Sequence, residues 1–428
     1  MNETKTIQVK HVTRVEGHGN IDITIKDGQV QNCQWKVVEA PRFFEAMVRG
    51  RKWFETAHIT SRICGICSIG HTLTSLKATE KAMDIAVSKQ TENMRKLLLH
   101  AENIQSHILH VGYLVLPDLL GAPSVFPLAS SHRNEVLVVV RLHQLSNEMS
   151  DLIGGRTTHP QRPVVGGFTK WPTPMELKKL RARLEDGMAD LDALVELVRA
   201  HADRLPHFER ETEFIALKHP NEYAFYDGDI TSTDGGTWPV KNYPKICNEF
   251  LVPQSTAKFS KHNRESYMVG ALARLNNSYQ QLSPKAKAVA EVFSLQPVNC
   301  NPFMNNVAQI VEIAHCLEDG IQLIDAILAD GIVDEQAAAA VKAGKGAASV
   351  EVPRGILFHE YEYDDAGICT WANCVIPTNQ NHGNIQKDFE SLVPQIKDRS
   401  AEEIELTMEM LVRAYDPCIS CSTHCIFI

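Results

Sequence analysis

The sequence predicts a mainly α-helical domain with small peripheral β-sheets, an α+β arrangement built around a helical bundle. Three observations predict it. Apolar residues recur at three- and four-residue intervals over 91–117, 133–153, 174–204 and 303–330, the period of an amphipathic helix. Strand-like text is limited to 6–38, 351–378 and parts of an irregular 207–255. At 428 residues, with 44% hydrophobic and 22% charged content, the chain can bury a large core as one unit.

Taken in order, 6–38 is a β-hairpin region: Ile21–Ile25 alternates, Asp27-Gly28 supplies the turn, and Val30–Val38 returns. Helical text runs from Thr72 to Ala86, directly after a cysteine pair. That pair therefore stands at a helix start, where the positive end of the helix dipole favours thiolates. The 91–117 run ends at Leu116-Pro117-Asp118. Between the next two helices lies a glycine-hinged loop, Gly154-Gly155-Arg156-Thr157-Thr158-His159-Pro160, followed by Gly166-Gly167. Residues 207–255 read as irregular or strand-like with a turn at Asp234-Gly235-Gly236. Helices at 264–276, 283–294 and 303–330 complete a helical core over 72–330. The alanine- and glycine-rich 331–350 reads as a surface excursion. A small sheet over 351–378 follows, Ile356–Tyr363 and Ile368–Ile376 around Asp364–Gly367. Helices at 384–397 and 401–415 deliver the chain to a cysteine motif ending at His424. No repeat and no low-complexity linker interrupts 1–428, so a single domain is expected.

A net charge of −9 argues against nucleic acid as a partner, since phosphate backbone needs a basic footprint. No apolar run reaches membrane-spanning length. The start, Met1-Asn2-Glu3-Thr4-Lys5, has no apolar signal core, so the cytoplasm is the expected compartment. Eleven cysteines fit reduced thiols plus metal ligands better than a disulfide scaffold.

Four of those cysteines form two Cys-x-x-Cys pairs: Arg62-Ile63-Cys64-Gly65-Ile66-Cys67, with His71 four residues on, and Asp416-Pro417-Cys418-Ile419-Ser420-Cys421, with His424 beyond. Four thiolates can converge on one soft metal site. On spacing alone that site is equally a structural zinc or an iron–sulfur cluster. A structural zinc commonly staples a local loop, whereas these pairs join distant parts of the chain, which suits an active site buried between layers. Cys33, Cys247, Cys300, Cys316 and Cys369 show no ligand spacing and read as small apolar residues.

In these contexts the two pairs resemble those of the catalytic large subunit of nickel–iron hydrogenases. Arg14-Val15-Glu16-Gly17-His18, Pro41-Arg42-Phe43-Phe44-Glu45, Gly155-Arg156 with His159, Pro353-Arg354-Gly355 and Pro377-Thr378 extend the resemblance along the whole chain. It implies a large-subunit helical bundle, with Cys64 and Cys418 as terminal nickel ligands and Cys67 and Cys421 bridging nickel and iron. The remaining iron ligands would be carbon monoxide and cyanide, with Arg354 and the Pro377-Thr378 turn beside the cyanide and Arg354 also facing the open coordination position. Glu16 would be the first proton acceptor, with the Cys418 thiolate able to take the proton before it. A carboxylate in a dry pocket has a raised pKa that suits the task; a Glu16 merely paired with Arg14 is the plainer reading. Asp118 and Asp416 match carboxylates around the open site, although Asp416 also fits a helix-terminal cap. His71 would donate to a bridging sulfur. Glu45, His424 and the backbone carbonyl of Cys374 would hold Mg2+ or Fe2+. His18, His159 and His315 carry no assigned role.

The same resemblance implies an H2-splitting enzyme of the NAD(P)-linked bidirectional or sulfhydrogenase branch, with a branch feeding heterodisulfide reductase as the alternative. No cysteine set remains for iron–sulfur clusters and no dinucleotide fingerprint is present, so an iron–sulfur small subunit and flavin/NAD(P) diaphorase subunits are the expected partners. A maturation protease and metallochaperones belong to the same expectation, with 425–428 as the segment removed. From another class, the complex I quinone-site subunit shares the fold but lacks the four cysteines. A non-catalytic H2 sensor is the other alternative.

Overall fold

The computed structural model describes residues 4–424; the segment expected to be removed, 425–428, lies outside them. β1 (Thr4–Val9), β2 (Gly19–Lys26) and β3 (Gln29–Val37) form an antiparallel sheet. Lys26 pairs with Gln29, leaving Asp27 and Gly28 as a two-residue turn with φ of 52° and 72°. That mirror-image turn matches the twist of the strands. It is the hairpin the sequence signals, with β1 added along its other edge.

Then come α1 (Phe44–Val48), α2 (Trp53–Thr60), α3 (Ser68–Met83), α4 (Lys89–Leu109), α5 (Arg133–Gly154) and α6 (Pro174–Arg199). The chain continues from α4 through a wider π-type turn, His110–Val115, into Leu116–Leu120, which accounts for the long 91–117 periodicity. α6 begins where Thr173 accepts from the Glu176 amide while Glu176 reaches back to Thr173, a capping box. The irregular 207–255 region contains β4 (Glu213–Lys218) and β5 (Asp229–Ser232). Beyond α7 (Ala271–Ser278) and α8 (Asn305–Asp330) runs an antiparallel sheet of β6 (Gly344–Val352), β7 (Gly355–Tyr363) and β8 (Cys369–Val375). α9 (Pro377–Ile396) and α10 (Ala401–Ala414) complete the order. α4, α5, α6 and α8 pack against one another around fully buried Leu97, Leu98, Leu142, Leu184, Ile313 and Leu317.

Two expectations are corrected. The helix expected over 264–276 begins only at Ala271, because Tyr267 and Met268 pair in parallel with Glu213 and Phe214. Residues 331–350 are not wholly a surface excursion, since the last part forms β6. Its small residues are what bring it against α3: a Cβ on Gly346 would lie 2.3 Å from the Ala82 nitrogen and 2.4 Å from the Ala78 carbonyl oxygen. Both obstacles are backbone, so a methyl there forces strand and helix apart. Gly346→Ala is expected to cost about 2 kcal/mol or more, read as a lower Tm of the purified chain.

This packing positions the site. α3 carries the first cysteine pair at its start, the β6–β7 turn carries Arg354, and the β8–α9 junction carries Pro377 and Thr378. The terminal segment threads between them, Cys418 bridging to Glu16 and His424 to Arg42.

Candidate metal centre

The two cysteine pairs meet. Sγ of Cys64 lies 3.5 Å from Sγ of Cys418, and Cys64, Cys418 and Cys421 form a buried group with sulfurs within 4.8 Å of one another. Cys67 caps the start of α3 with its backbone only and directs its thiol at Cys64. That donation, together with Arg354 and the amides of Cys67 and Ile66, holds the Cys64 thiol below its ordinary pKa despite burial. The Cys67 thiol is pushed well above it by the shared proton and by burial. The sulfurs of Cys418 and Cys421 lie against one another, as two ligands of one small site would. Cys421 sits within the tight turn Ser420–Ser422 and Cys418 two residues before it, which brings the two sulfurs together. Both sulfurs stand beside that of Cys64.

Arg354 is no surface arginine. It is 3% exposed and donates to Asp416 Oδ1 at 2.7 Å and to Ser106 Oγ at 3.2 Å. Burial opposes its charge, but Asp416, Cys67, Cys64 and Glu16 outweigh burial and raise its pKa. Asp416 also accepts from Gln309 at 3.0 Å, so its carboxylate is committed to Arg354 and Gln309 rather than to capping a helix. Thr378, one residue into α9, accepts from the Cys418 amide at 3.1 Å and keeps its own hydroxyl proton to donate.

Glu16 is half-buried and runs beside the second pair. Its carbonyl accepts from the Ile419 amide at 2.9 Å, and its carboxylate accepts from the Ser420 amide at 3.1 Å and from the Ser420 hydroxyl. The plainer reading, an ion pair with Arg14, does not hold. Arg14 pairs with Asp118 at 2.5 Å, and Arg413 holds the other side of Asp118 at 2.8 Å. Both Asp118 oxygens are thus taken by arginines, so its carboxylate tethers the Arg14–Glu16 segment instead of standing open.

His71 is fully buried, its Nδ1 3.1 Å from His359 Nε2, while His359 Nδ1 is 2.7 Å from the Tyr361 hydroxyl. His71 Nε2 has no partner among the described residues. His424 Nδ1 sits 3.0 Å from both Glu45 oxygens. Facing a carboxylate fixes the proton on Nδ1 and leaves Nε2 as a lone pair; that atom is buried and unpartnered too. A bare buried lone pair is costly, and a cation beside Glu45 would satisfy it. Cys374 pairs with His359 one residue before the end of β8. Burial and then Glu45 push its thiol well up, which suits a contribution through its carbonyl.

Sequence reasoning missed the residues that hold these groups. Ser420 grips Glu16. Trp35 donates from its indole to His382 Nδ1 at 3.0 Å, so the other nitrogen carries the proton to Ser422 Oγ at 2.8 Å, pinning the turn that bears Cys421. Burial lowers the His382 pKa to about 3. Below the ordinary value of 6.5 the unfolded chain takes a proton the folded one refuses. Stability is therefore lost as pH falls from 6.5 toward 3, by up to about 1.4 kcal/mol per pH unit from this group. His382→Gln is expected to flatten the acid limb of a Tm–pH curve by that one proton. Glu102 was also missed. The one available signal was that polar residues fall all round the 91–117 helix, which marks a buried polar network. Of the histidines without a role, His159 donates its backbone amide to Ser68 Oγ at 2.8 Å, His18 pairs with Glu39, and His315 Nδ1 accepts from the Ser283 amide. The spare cysteines divide: Cys247, Cys316 and Cys369 are buried, whereas Cys33 and Cys300 are partly exposed.

A family model described as nickel-dependent hydrogenase matches residues 42–127 and 221–424. The chain belongs to that family. A second model, described as HoxL-like, matches residues 6–40. Sulfhydrogenase 1 subunit alpha of Pyrococcus furiosus is 34% identical over 98% of this chain and 97% of its own length. The NAD-reducing hydrogenase HoxS subunit beta of Cupriavidus necator is 27% identical over 98% and 95%. Among solved structures, an NAD+-reducing [NiFe]-hydrogenase in the H2-reduced state superposes with a TM-score of 0.88 at 27% identity, covering 98% of this chain and 99% of that one. The nickel–iron–selenium hydrogenase of Desulfomicrobium baculatum shares the fold, with a TM-score of 0.74 at 21% identity over 98% and 100%. The mainly helical class expected from the sequence is the large-subunit fold of this family. The chain is accordingly the catalytic large subunit of a nickel–iron hydrogenase, an oxidoreductase with a nickel–iron centre. No single helix among the described residues is long and apolar enough to cross a membrane.

Proposed function

We propose that this chain carries out reversible heterolytic cleavage of H2 and passes the electrons to an iron–sulfur small subunit and on, through flavin-bearing diaphorase subunits, to NAD(P). The observation that carries the reading is the meeting of Cys64, Cys418 and Cys421, with Cys67 behind them, beneath a buried Arg354–Asp416 pair. When bound, a thiolate-held nickel–iron pair with carbon monoxide and cyanide on iron supplies the Lewis-acid and redox chemistry. Cys64 and Cys418 would bind nickel terminally, and Cys67 and Cys421 would bridge the metals. Arg354 presents a permanent cation to the open side, held in place by Asp416. Thr378 retains a hydroxyl proton for an anionic cyanide nitrogen, and Pro377 fixes the turn that aims it. Glu16, whose backbone bridges to Cys418, accepts the released proton, and its bonds from Ser420 fix the carboxylate against the segment between Cys418 and Cys421. A donation running from Tyr361 through His359 leaves His71 Nε2 protonated and free for a bridging sulfur. Glu45, His424 Nε2 and the Cys374 carbonyl fit Mg2+ or Fe2+.

Similarity to the sulfhydrogenase and NAD-reducing subunits supports the NAD(P)-linked branch. The alternative, a hydrogenase feeding heterodisulfide reductase, draws on similarity to F420-non-reducing hydrogenase subunits such as that of Methanococcus voltae, 29% identical over 98% of this chain. The decisive experiment is anaerobic purification with co-purifying subunits, followed by nickel and iron analysis, infrared spectroscopy for metal-bound CO and CN, and H2-dependent NAD(P)+ reduction. About one nickel per large subunit is expected, with those bands and with iron in excess of nickel because the partner's clusters also hold iron. Zinc alone on the four cysteines would overturn the reading, and activity with other acceptors but not NAD(P)+ would overturn the branch.

A further inference from the structure

Cys67 occupies the N-cap position of α3, the place where Ser, Thr, Asp or Asn ordinarily turns a side-chain oxygen onto the first free amides. It makes no such bond. The amides that need an acceptor, those of Ile69 and Gly70, instead donate to Glu102 on α4, at 2.7 Å and at 3.0 and 3.1 Å. Glu102 is fully buried, and no lysine, arginine or histidine bonds to it among the described residues. The approach depends on Gly70: a Cβ there would lie 2.8 Å from Glu102 Oε1 and 2.1 Å from Val352 Cγ1. We propose that Glu102 is a positioning residue for the Cys64–Cys67 turn, capping α3 from the neighbouring helix so that Cys67 can start α3 and keep its sulfur for metal.

The reason is a conflict at one residue. A side chain at an N-cap that turns back onto its helix cannot also face a metal, and an uncapped buried helix start leaves amides without partners. Placing the acceptor on α4 resolves both. It also puts an acid among the ligands: Cys64 and Arg354 act electrostatically on Glu102, and Glu102 on Cys67. Burial, only partly offset by the Gly70 and Ile69 amides, raises the Glu102 pKa to about 8.

This inference rests on the nickel–iron reading of the site. The test compares Glu102→Gln, which keeps an oxygen for the two amides, with Glu102→Met, which fills the same volume without one. In the mature holoenzyme, Glu102→Gln is expected to retain nickel at the wild-type level. Glu102→Met should carry about tenfold less per folded chain, the effect of leaving buried donors unpaired. At about pH 9, above the wild-type carboxyl's pKa, Glu102→Gln should shift the infrared CN bands to higher wavenumber because it lacks the charge. Equal nickel and identical bands in all three proteins would overturn the role. If Glu102→Met does not accumulate, amide exchange in the wild-type metal-free chain decides. Ile69 and Gly70 should exchange as slowly as the middle of α3, and exchange at the rate of a frayed end would overturn the cap. Absence of CO and CN bands from the wild type would instead sink the nickel–iron reading, a separate failure.

Discussion

Replacing Arg354 with leucine is expected to abolish H2 oxidation and to destabilise the chain by about 3–5 kcal/mol. The second effect comes from the partner left behind. Asp416 is 2% exposed, and among the described residues Arg354 is the only cation bonded to it. Without the guanidinium it becomes a lone buried carboxylate beside the cysteine thiols. Adding Asp416→Asn should recover most of the stability, since the pair is then removed as a unit, but should not recover turnover. Thermal unfolding of the metal-free chain reads the first quantity and H2 uptake with an artificial acceptor reads the second. An Arg354→Leu/Asp416→Asn double variant that oxidised H2 at the wild-type rate would show that the arginine serves only to neutralise Asp416.

Glu16→Gln is expected to lower turnover by about 10²–10⁴-fold while leaving nickel and iron content and Tm close to wild type. Glutamine still offers an oxygen to the Ser420 amide, so the joint between the Glu16 segment and the second cysteine pair survives; what is lost is a group able to take and release a proton. Exchange between H2 and D2O should fall in parallel with H2 oxidation. A variant with undiminished exchange would mean that protons leave by another path. Asp118 serves as the control: Asp118→Asn frees Arg14 and Arg413 from their shared anion, which should lower Tm more than Glu16→Gln does.

Much of the site was legible because thiols, glycines and a Pro-Arg-Gly turn carry their purpose in short spacings. The two Cys-x-x-Cys pairs, the Asp27-Gly28 turn and the cysteine pair at a helix start all stand where the sequence places them. What was not legible depends on partners distant in the chain. Arg14 lies two residues from Glu16 yet pairs with Asp118. Glu102 reads as one more polar residue in a long helix until α3 is set against α4. The alanine- and glycine-rich stretch before Val352 looks like surface because small residues bear no apolar signal, although their smallness is what lets a strand lie on a helix backbone. Tyr267 and Met268 follow the same rule, drawn into a strand by β4 rather than by their neighbours.

Cys64 and Cys418 are 354 positions apart, so the contact of their sulfurs closes a loop that spans most of the chain. Closing so long a loop comes late, because its entropy is lost before the contact returns anything. Either pair alone, on a partly organised chain, is a two-sulfur chelate open to whichever soft ion arrives first. A site that discriminates among soft ions therefore needs both pairs in place.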